Sequence, residues 1–230
     1  MQPDSLAVAQ NTLTEGAPIE KTLSIWELVT SGGIGGQSIM IILTLLLFLA
    51  FYLYFERIFA INAAAKIDSN FMNNIKTHIL NGKLDAAKML CAQTKSPVAR
   101  LVEKGISRIG RPLEDINSAI ENAGKLEVYK LEKNVGILAT IAGVGPMIGF
   151  LGTVIGMIIS FHAMASGGGQ IEVKDLSGGI QTAMTTTVAG LIVGIIAYMG
   201  YNHVAVKTDK VINLMEVNAT DFLDLLNEPS

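Results

Sequence analysis

Residues 139–161 read ATIAGVGPMIGFLGTVIGMIISF, twenty-three residues without a charge, punctuated by Gly145, Pro146, Gly149, Gly152 and Gly156. A helix of this composition offers water no polar face, and its small residues let another helix backbone come close. The stretch free of Asp, Glu, Lys and Arg runs from Val135 to Ala165, and another runs from Leu176 to Val206. At ~1.5 Å per residue each spans about 46 Å as a helix, against a hydrocarbon core of about 30 Å. Both are expected to cross a bilayer and project beyond it. Upstream, Ile39–Phe55 (IMIILTLLLFLAFYLYF) is a third uncharged run, entered through Gly32–Gly36 and closed by Glu56-Arg57. Tyr52 and Tyr54 near its end suit a membrane interface.

The chain of 230 residues is 50% hydrophobic but only 16% charged, where a soluble domain carries about 25% charged residues. The deficit lies in the three runs. It therefore indicates a membrane protein rather than a soluble bundle with three buried core helices, the alternative reading. A net charge of -3 with no basic cluster gives no reason to expect a nucleic-acid partner. Cys91 is the single cysteine, which excludes a disulfide within the chain and a cysteine-based zinc site. The start, MQPDSLAVAQNTLTEGAPIEK, has neither the basic end nor the apolar core of a cleavable signal peptide. No His/Cys/carboxylate constellation, nucleotide loop or metal-ligand spacing is present, so neither an enzyme nor a cofactor is expected.

The expected fold class is an all-α integral membrane protein with three transmembrane helices, two of them extending into a cytoplasmic helical bundle. Orientation follows the basic residues. Glu56 to Asn134 holds thirteen Lys and Arg, and Lys207 and Lys210 follow the third span, against Lys21 before the first span and Lys174 in the hairpin. The positive-inside rule then places the N-terminus outside, and the connector, Cys91 and the C-terminus inside. The chain divides into a periplasmic segment 1–30 with a short amphipathic helix around Trp26 and a first span at 33–55. A cytoplasmic helical region, 56–134, leads to the second span at 135–165. A periplasmic hairpin at 166–177, a third span at 178–206 and a cytoplasmic C-terminal helix at 207–230 complete it.

Within the connector the apolar spacing is helical throughout. Ile67, Phe71, Ile75 and Ile79 recur every four residues up to Asn81-Gly82, and a second helix covers Leu84–Gln93. Val98, Leu101, Val102, Ile106 and Ile109 make a third stripe after Ser96-Pro97. Pro112 opens a fourth helix, marked by Leu113, Ile116, Ile120 and Ala123, whose pattern can run without a break into the second span. Val211, Leu214, Met215, Phe222 and Leu225 repeat the pattern after the third span.

Two membrane runs are unlike the first. Gly145, Gly149, Gly152 and Gly156 in the second, and Gly190 and Gly194 in the third, have small-xxx-small spacing and mark helices that face protein. Pro146 frees a carbonyl that needs a protein or water partner. Thr140, Thr153 and Ser160 lie in the second span, and Gln181, Thr182, Thr185, Thr186 and Thr187 crowd one window of the third. A single Thr there often bonds only its own i−4 carbonyl, but five polar residues in seven wrap most of a helix. No span holds Asp, Glu, Lys or Arg, and His162 and His203 sit near span ends. A proton crossing here would need a carrier on another chain.

Gly149-Phe-Leu-Gly-Thr-Val-Ile-Gly-Met157, followed by Thr186-Thr-Val-Ala-Gly-Leu191 and Tyr201-Asn202, resembles the ExbB/TolQ/MotA proton-channel family, most of all its ExbB branch. The resemblance covers nearly the whole chain. It implies a homopentamer whose second and third helices surround a pore holding an ExbD-like single-span dimer. The partner's Asp would carry the proton, and a TonB-like protein would pass the motion to outer-membrane transporters from the inner membrane. By position it implies Thr153 and Thr187 as pore threonines, with Thr186 and Thr182 beside them and the six glycines packing the pore helices. Thr182 stands where family members often carry glutamate. A TolQ-like, gliding or secretion motor, and a membrane scaffold that conducts nothing, are the other readings.

Overall fold

A helix stops where a residue can leave the helical turn cheaply, and the chain supplies such residues at its breaks. The computed structural model describes residues 34–166 and 173–227. Its helices are α1 (Ile34–Ala64), α2 (Phe71–Leu80), α3 (Leu84–Gln93), α4 (Pro97–Ile106), α5 (Leu113–Glu132), α6 (Val135–Ser166) and α7 (Val173–Asn227). The segment 1–30 around Trp26, the hairpin residues 167–172 and the final 228–230 lie outside the described residues.

After α2, Gly82 takes the left-handed backbone (φ 70°) that glycine adopts without penalty. Gly110 (φ 93°) does the same ahead of Pro112, which occupies the N-cap position of α5. Pro97 begins α4 directly, where its missing N–H costs nothing. Ile109 falls outside α4, and α1 continues past Glu56-Arg57 to Ala64.

The chain does not take the continuous helix that the pattern from Pro112 into the second span allowed: α5 ends at Glu132, and Asn134 (φ 63°) turns the chain before α6. Asn is one of the few residues other than glycine that tolerate this conformation, and it is a recognised helix terminator for that reason. Conversely, α7 is a single helix of 55 residues from the third span to Asn227, about 82 Å at ~1.5 Å per residue. About 50 Å of it therefore lies beyond a hydrocarbon core.

In the membrane part α6 and α7 pair antiparallel along their length, and α1 packs against both. Gly36 lies beside Thr182, Tyr54 beside Gly200, and Lys207 Nζ donates to Asn62 Oδ1 at 3.0 Å. α1 is thus parallel to α7, and the two begin at the same end of the bundle, as three successive crossings require. Leu45, Phe48, Tyr52, Met147, Phe150 and Met199 point outward and are about two-thirds exposed. Large apolar side chains spread over three helices in this way need lipid or protein, not water, around them.

Beyond the spans, α4 is the centre of a second core. Its Val98, Leu101, Val102 and Ile106 are buried against Ile116 and Ile120 of α5 and Val211, Met215 and Phe222 of α7. Gly105 permits this closure, since a Cβ there would stand 3.0 Å from Ile120 Cδ1 and against the Phe222 ring. Cys91 is buried in the same layer, and burial, then the nearby Glu103 charge, pushes its thiol up to about 12. The expected result is that a maleimide at neutral pH leaves Cys91 unmodified until the protein is unfolded, as intact mass will show. A reporter of sidedness has to be placed at an exposed position such as Ser118.

Glu127 of α5 is 5% exposed. It accepts hydrogen bonds from Arg100 of α4 and from Lys130 Nζ at 2.7 Å. Burial alone would raise its carboxyl, but the two cations outweigh that and hold it below the usual carboxylate range. With the folded value below the unfolded one, the cluster stabilises the fold above about pH 4 and loses that contribution as pH falls through the folded value. Glu127→Gln is expected to cost about 1–3 kcal/mol at pH 7. Thermal scans at stepped pH will show a shallower acid-side decline for that variant than for the wild type.

Candidate functional site

Glycines on α6 and α7 meet face to face, and the small-residue spacing in each helix is the cause. A Cβ on Gly190 would lie 2.7 Å from the Gly145 carbonyl oxygen and 2.8 Å from Gly149 Cα. On Gly149 it would lie 2.9 Å from the Thr186 carbonyl oxygen; on Gly156, 2.9 Å from both Ala183 Cβ and the Gly179 carbonyl oxygen. Gly145 faces the Gly190 carbonyl and the Gly194 backbone at 3.3 Å, and Gly152 faces Thr186 Cβ at 2.6 Å. Gly194 leaves room for the ring of Pro146, whose Cγ would be 2.6 Å from an added Cβ. All six glycines therefore serve contact between two helices of the same chain.

That contact sorts the four threonines. Thr153 of α6 and Thr187 of α7 come together, hydroxyl against hydroxyl, both half-buried. The Thr187 hydroxyl also reaches the carbonyls of Gly149 at 3.1 Å and Ala183 at 3.3 Å, and the Thr153 hydroxyl reaches that of Ala183 at 3.5 Å. Thr186 departs from the expected set. It is 1% exposed, packed onto Gly152, and its hydroxyl donates to the Ala183 carbonyl at 2.9 Å. Thr182 departs in another direction: its methyl packs on Gly36 of α1, and its hydroxyl donates to the Gly178 carbonyl at 2.9 Å. Residues 182 and 186 are one turn apart, against Gly36 of α1 and Gly152 of α6, while 187 meets α6 one position round, at Thr153 and Gly149. Thr140 and Thr185 bond their own i−4 carbonyls and join no cluster.

The chemistry of the pair follows from counting. Two hydroxyls hold two protons and four lone pairs. One proton makes the Thr–Thr bond and the other is drawn to the Gly149 or Ala183 carbonyl, leaving lone pairs and no free donor. Such a site accepts a hydrogen bond from a protonated carboxyl or a water. To face a carboxylate it must first surrender one of its own bonds.

Several participants had no signal in the glycine or threonine spacing. Gly35 and Gly36 seat α1, with Ile155 Cγ2 3.3 Å from a Cβ on Gly35. Ser160, buried on α6, packs on Gly179 and donates to the Gly156 carbonyl at 3.1 Å. Tyr54 Oη meets His203 Nδ1 at 2.9 Å, tying α1 to α7 toward the far end of the spans.

The family model described as the MotA/TolQ/ExbB proton channel family matches residues 93–217, which hold the seam and the threonine pair. This chain belongs to that family. Within it the chain is 29% identical over 136 residues to an ExbB homolog for biopolymer transport of Methanothermobacter thermautotrophicus, covering 59% of this chain and 47% of that one. It is 26% identical over 215 residues to the Tol-Pal system protein TolQ of Pseudomonas aeruginosa, covering 89% and 93%. It is 37% identical over 79 residues to the biopolymer transport protein ExbB of Helicobacter pylori, covering 34% and 54%. The matches thus span about half the length of these two ExbB relatives and nearly all of the TolQ one. A membrane protein of a MotA/TolQ/ExbB kind accounts for the outward apolar side chains of α1, α6 and α7.

Proposed function

We propose that this chain is the channel-forming subunit of a proton-motive-force-driven motor of the bacterial inner membrane, five copies surrounding a dimer of a single-span partner. In this reading the start of α1 faces the periplasm, and the layer built on α4 and α5 faces the cytoplasm. The observation that carries it is the threonine pair. It is a half-buried acceptor site in a seam whose uncharged spans supply no carboxyl, within a family described as proton channels. A partner's carboxyl would dock there once protonated and leave it once ionised, so that proton occupancy changes the partner's position. One charge moving through ~100 mV supplies about 2.3 kcal/mol, so several protons drive each useful step.

Assembly of copies is supported outside the membrane as well. Tyr129 is exposed on the wall of a groove of about 510 Å³ between α5 and α7, and Leu126 and Val217 are exposed elsewhere on the same two helices. We assign the motor to the ExbB-like branch, energising TonB-dependent outer-membrane transport. The TolQ-like reading stands beside it because that match runs nearly the full length of both chains.

The test is the composition of the complex purified from native membranes. Native mass spectrometry is expected to show five copies of this chain with two of a single-span protein bearing an intramembrane Asp. A stable assembly with no carboxylate-bearing partner would establish the non-conducting scaffold instead.

A further inference from the structure

The bend between α5 and α6 is held by a second element. A helix that stops leaves its last carbonyls without intrahelical donors, and α5 stops at Glu132. The Arg57 guanidinium, reaching across from α1, donates through Nη1 to the Lys130 carbonyl at 3.3 Å, inside that last turn. A cation at a helix C-terminus is also favoured by the macrodipole. Glu56 holds Arg57 Nη2 at 2.5 Å, and its other oxygen receives a long bond, 3.5 Å, from Asn134 Nδ2. Arg57 is 7% exposed, and its Nε has no partner among the described residues. An arginine buried at that cost is kept in place by what its other nitrogens do. One turn earlier on α5, Glu127 is tied to Arg100 of α4.

We propose that Glu56 and Arg57 form a lock on the α5–α6 joint. By capping α5 and gripping Asn134, they make the end of the first membrane helix and the α4–α5 layer move as one body. Apart from the lock, the joint is held by Asn134's left-handed turn, the Ile137 N–H bond to the Asn134 carbonyl at 3.2 Å and the buried side chains of Leu131 and Val135. The lock is independent of which motor the chain serves, since it concerns a single protomer.

Hydrogen exchange on the full-length protein in its membrane oligomer tests it. Arg57→Gln is expected to speed exchange of amides 129–138 by roughly tenfold or more while leaving α2 and α3 unchanged. Arg57→Lys, which keeps a cation at the end of α5, should recover part of the protection. Glu56 is more exposed than Arg57, so Glu56→Gln keeps the fold and should loosen the same amides to a smaller degree. Asn134→Gly keeps the left-handed turn, removes the side-chain grip and also frees the backbone, so faster exchange there supports the lock when Asn134→Asp, which cannot donate to Glu56, shows it too. Unchanged exchange at 129–138 in Glu56→Gln and Asn134→Gly together overturns it, even where Arg57→Gln unfolds the chain.

Discussion

Gly190→Leu abolishes the α6–α7 pair, and with it every assembly built on that pair. At this position the helices touch through backbone alone: a single added carbon already falls within 2.8 Å of both the Gly145 oxygen and Gly149 Cα. Backbone cannot turn aside as a flexible side chain does, so the helices must separate. Overpacking a tight core costs about 1–3 kcal/mol where side chains can adjust, and the cost here lies at or above that range. Even Gly190→Ala should lower the melting temperature measurably. Gly136→Ala and Gly143→Ala are the controls, because nothing lies within 4 Å of a Cβ at either. Native mass spectrometry and thermal scans in detergent read both effects. An intact homo-oligomer in Gly190→Leu would show that these helices do not form the assembly.

The second large effect separates chemistry from packing at the threonine pair. Thr153→Val with Thr187→Val keeps the side-chain shape and removes both hydroxyls. The carbonyls they touch, those of Gly149 and Ala183, still accept within their own helices, so no buried group is orphaned. A side-chain hydrogen bond in a membrane is worth about 0.6 kcal/mol, too little for its loss to dissolve the complex. Partner pull-down is therefore expected to be unchanged, while motor-dependent uptake falls by roughly tenfold or more, the loss expected when a proton-handling group is removed. Thr→Ser at both positions, retaining the hydroxyls, should keep part of the activity. Full uptake by the double valine variant would remove the pair from the ion pathway. Thr186→Val provides the contrast. Its hydroxyl is buried at Ala183 and faces no open surface, so its effect should appear in stability.

Much of this molecule is legible in one dimension. Leu84–Gln93 is a helix with the bounds its spacing predicts, and Asn81-Gly82 stops α2 where a left-handed residue is needed. Three uncharged runs announce three spans because a bilayer tolerates no unpaired backbone and few charges. The glycine repeats predict a close seam because small residues at one-turn spacing share a face whatever they meet. These are properties of an element by itself, and residue identity at fixed intervals suffices to write them.

The tertiary structure decided how those elements are turned toward one another. Four threonines in two spans look alike in the sequence, yet only Thr153 and Thr187 meet. The glycine seam sets the rotation of α7 against α6, which sends Thr186 inward and Thr182 toward Gly36. The break at Asn134 reads as an ordinary polar residue until Arg57 and Glu56, more than seventy positions earlier, are seen at the end of α5. Rotation and distant capping depend on which backbones can approach and which charges find partners across the bundle. Those contacts are non-local, so helical periodicity, which fixes only the face a residue shares with its neighbours, carries no record of them.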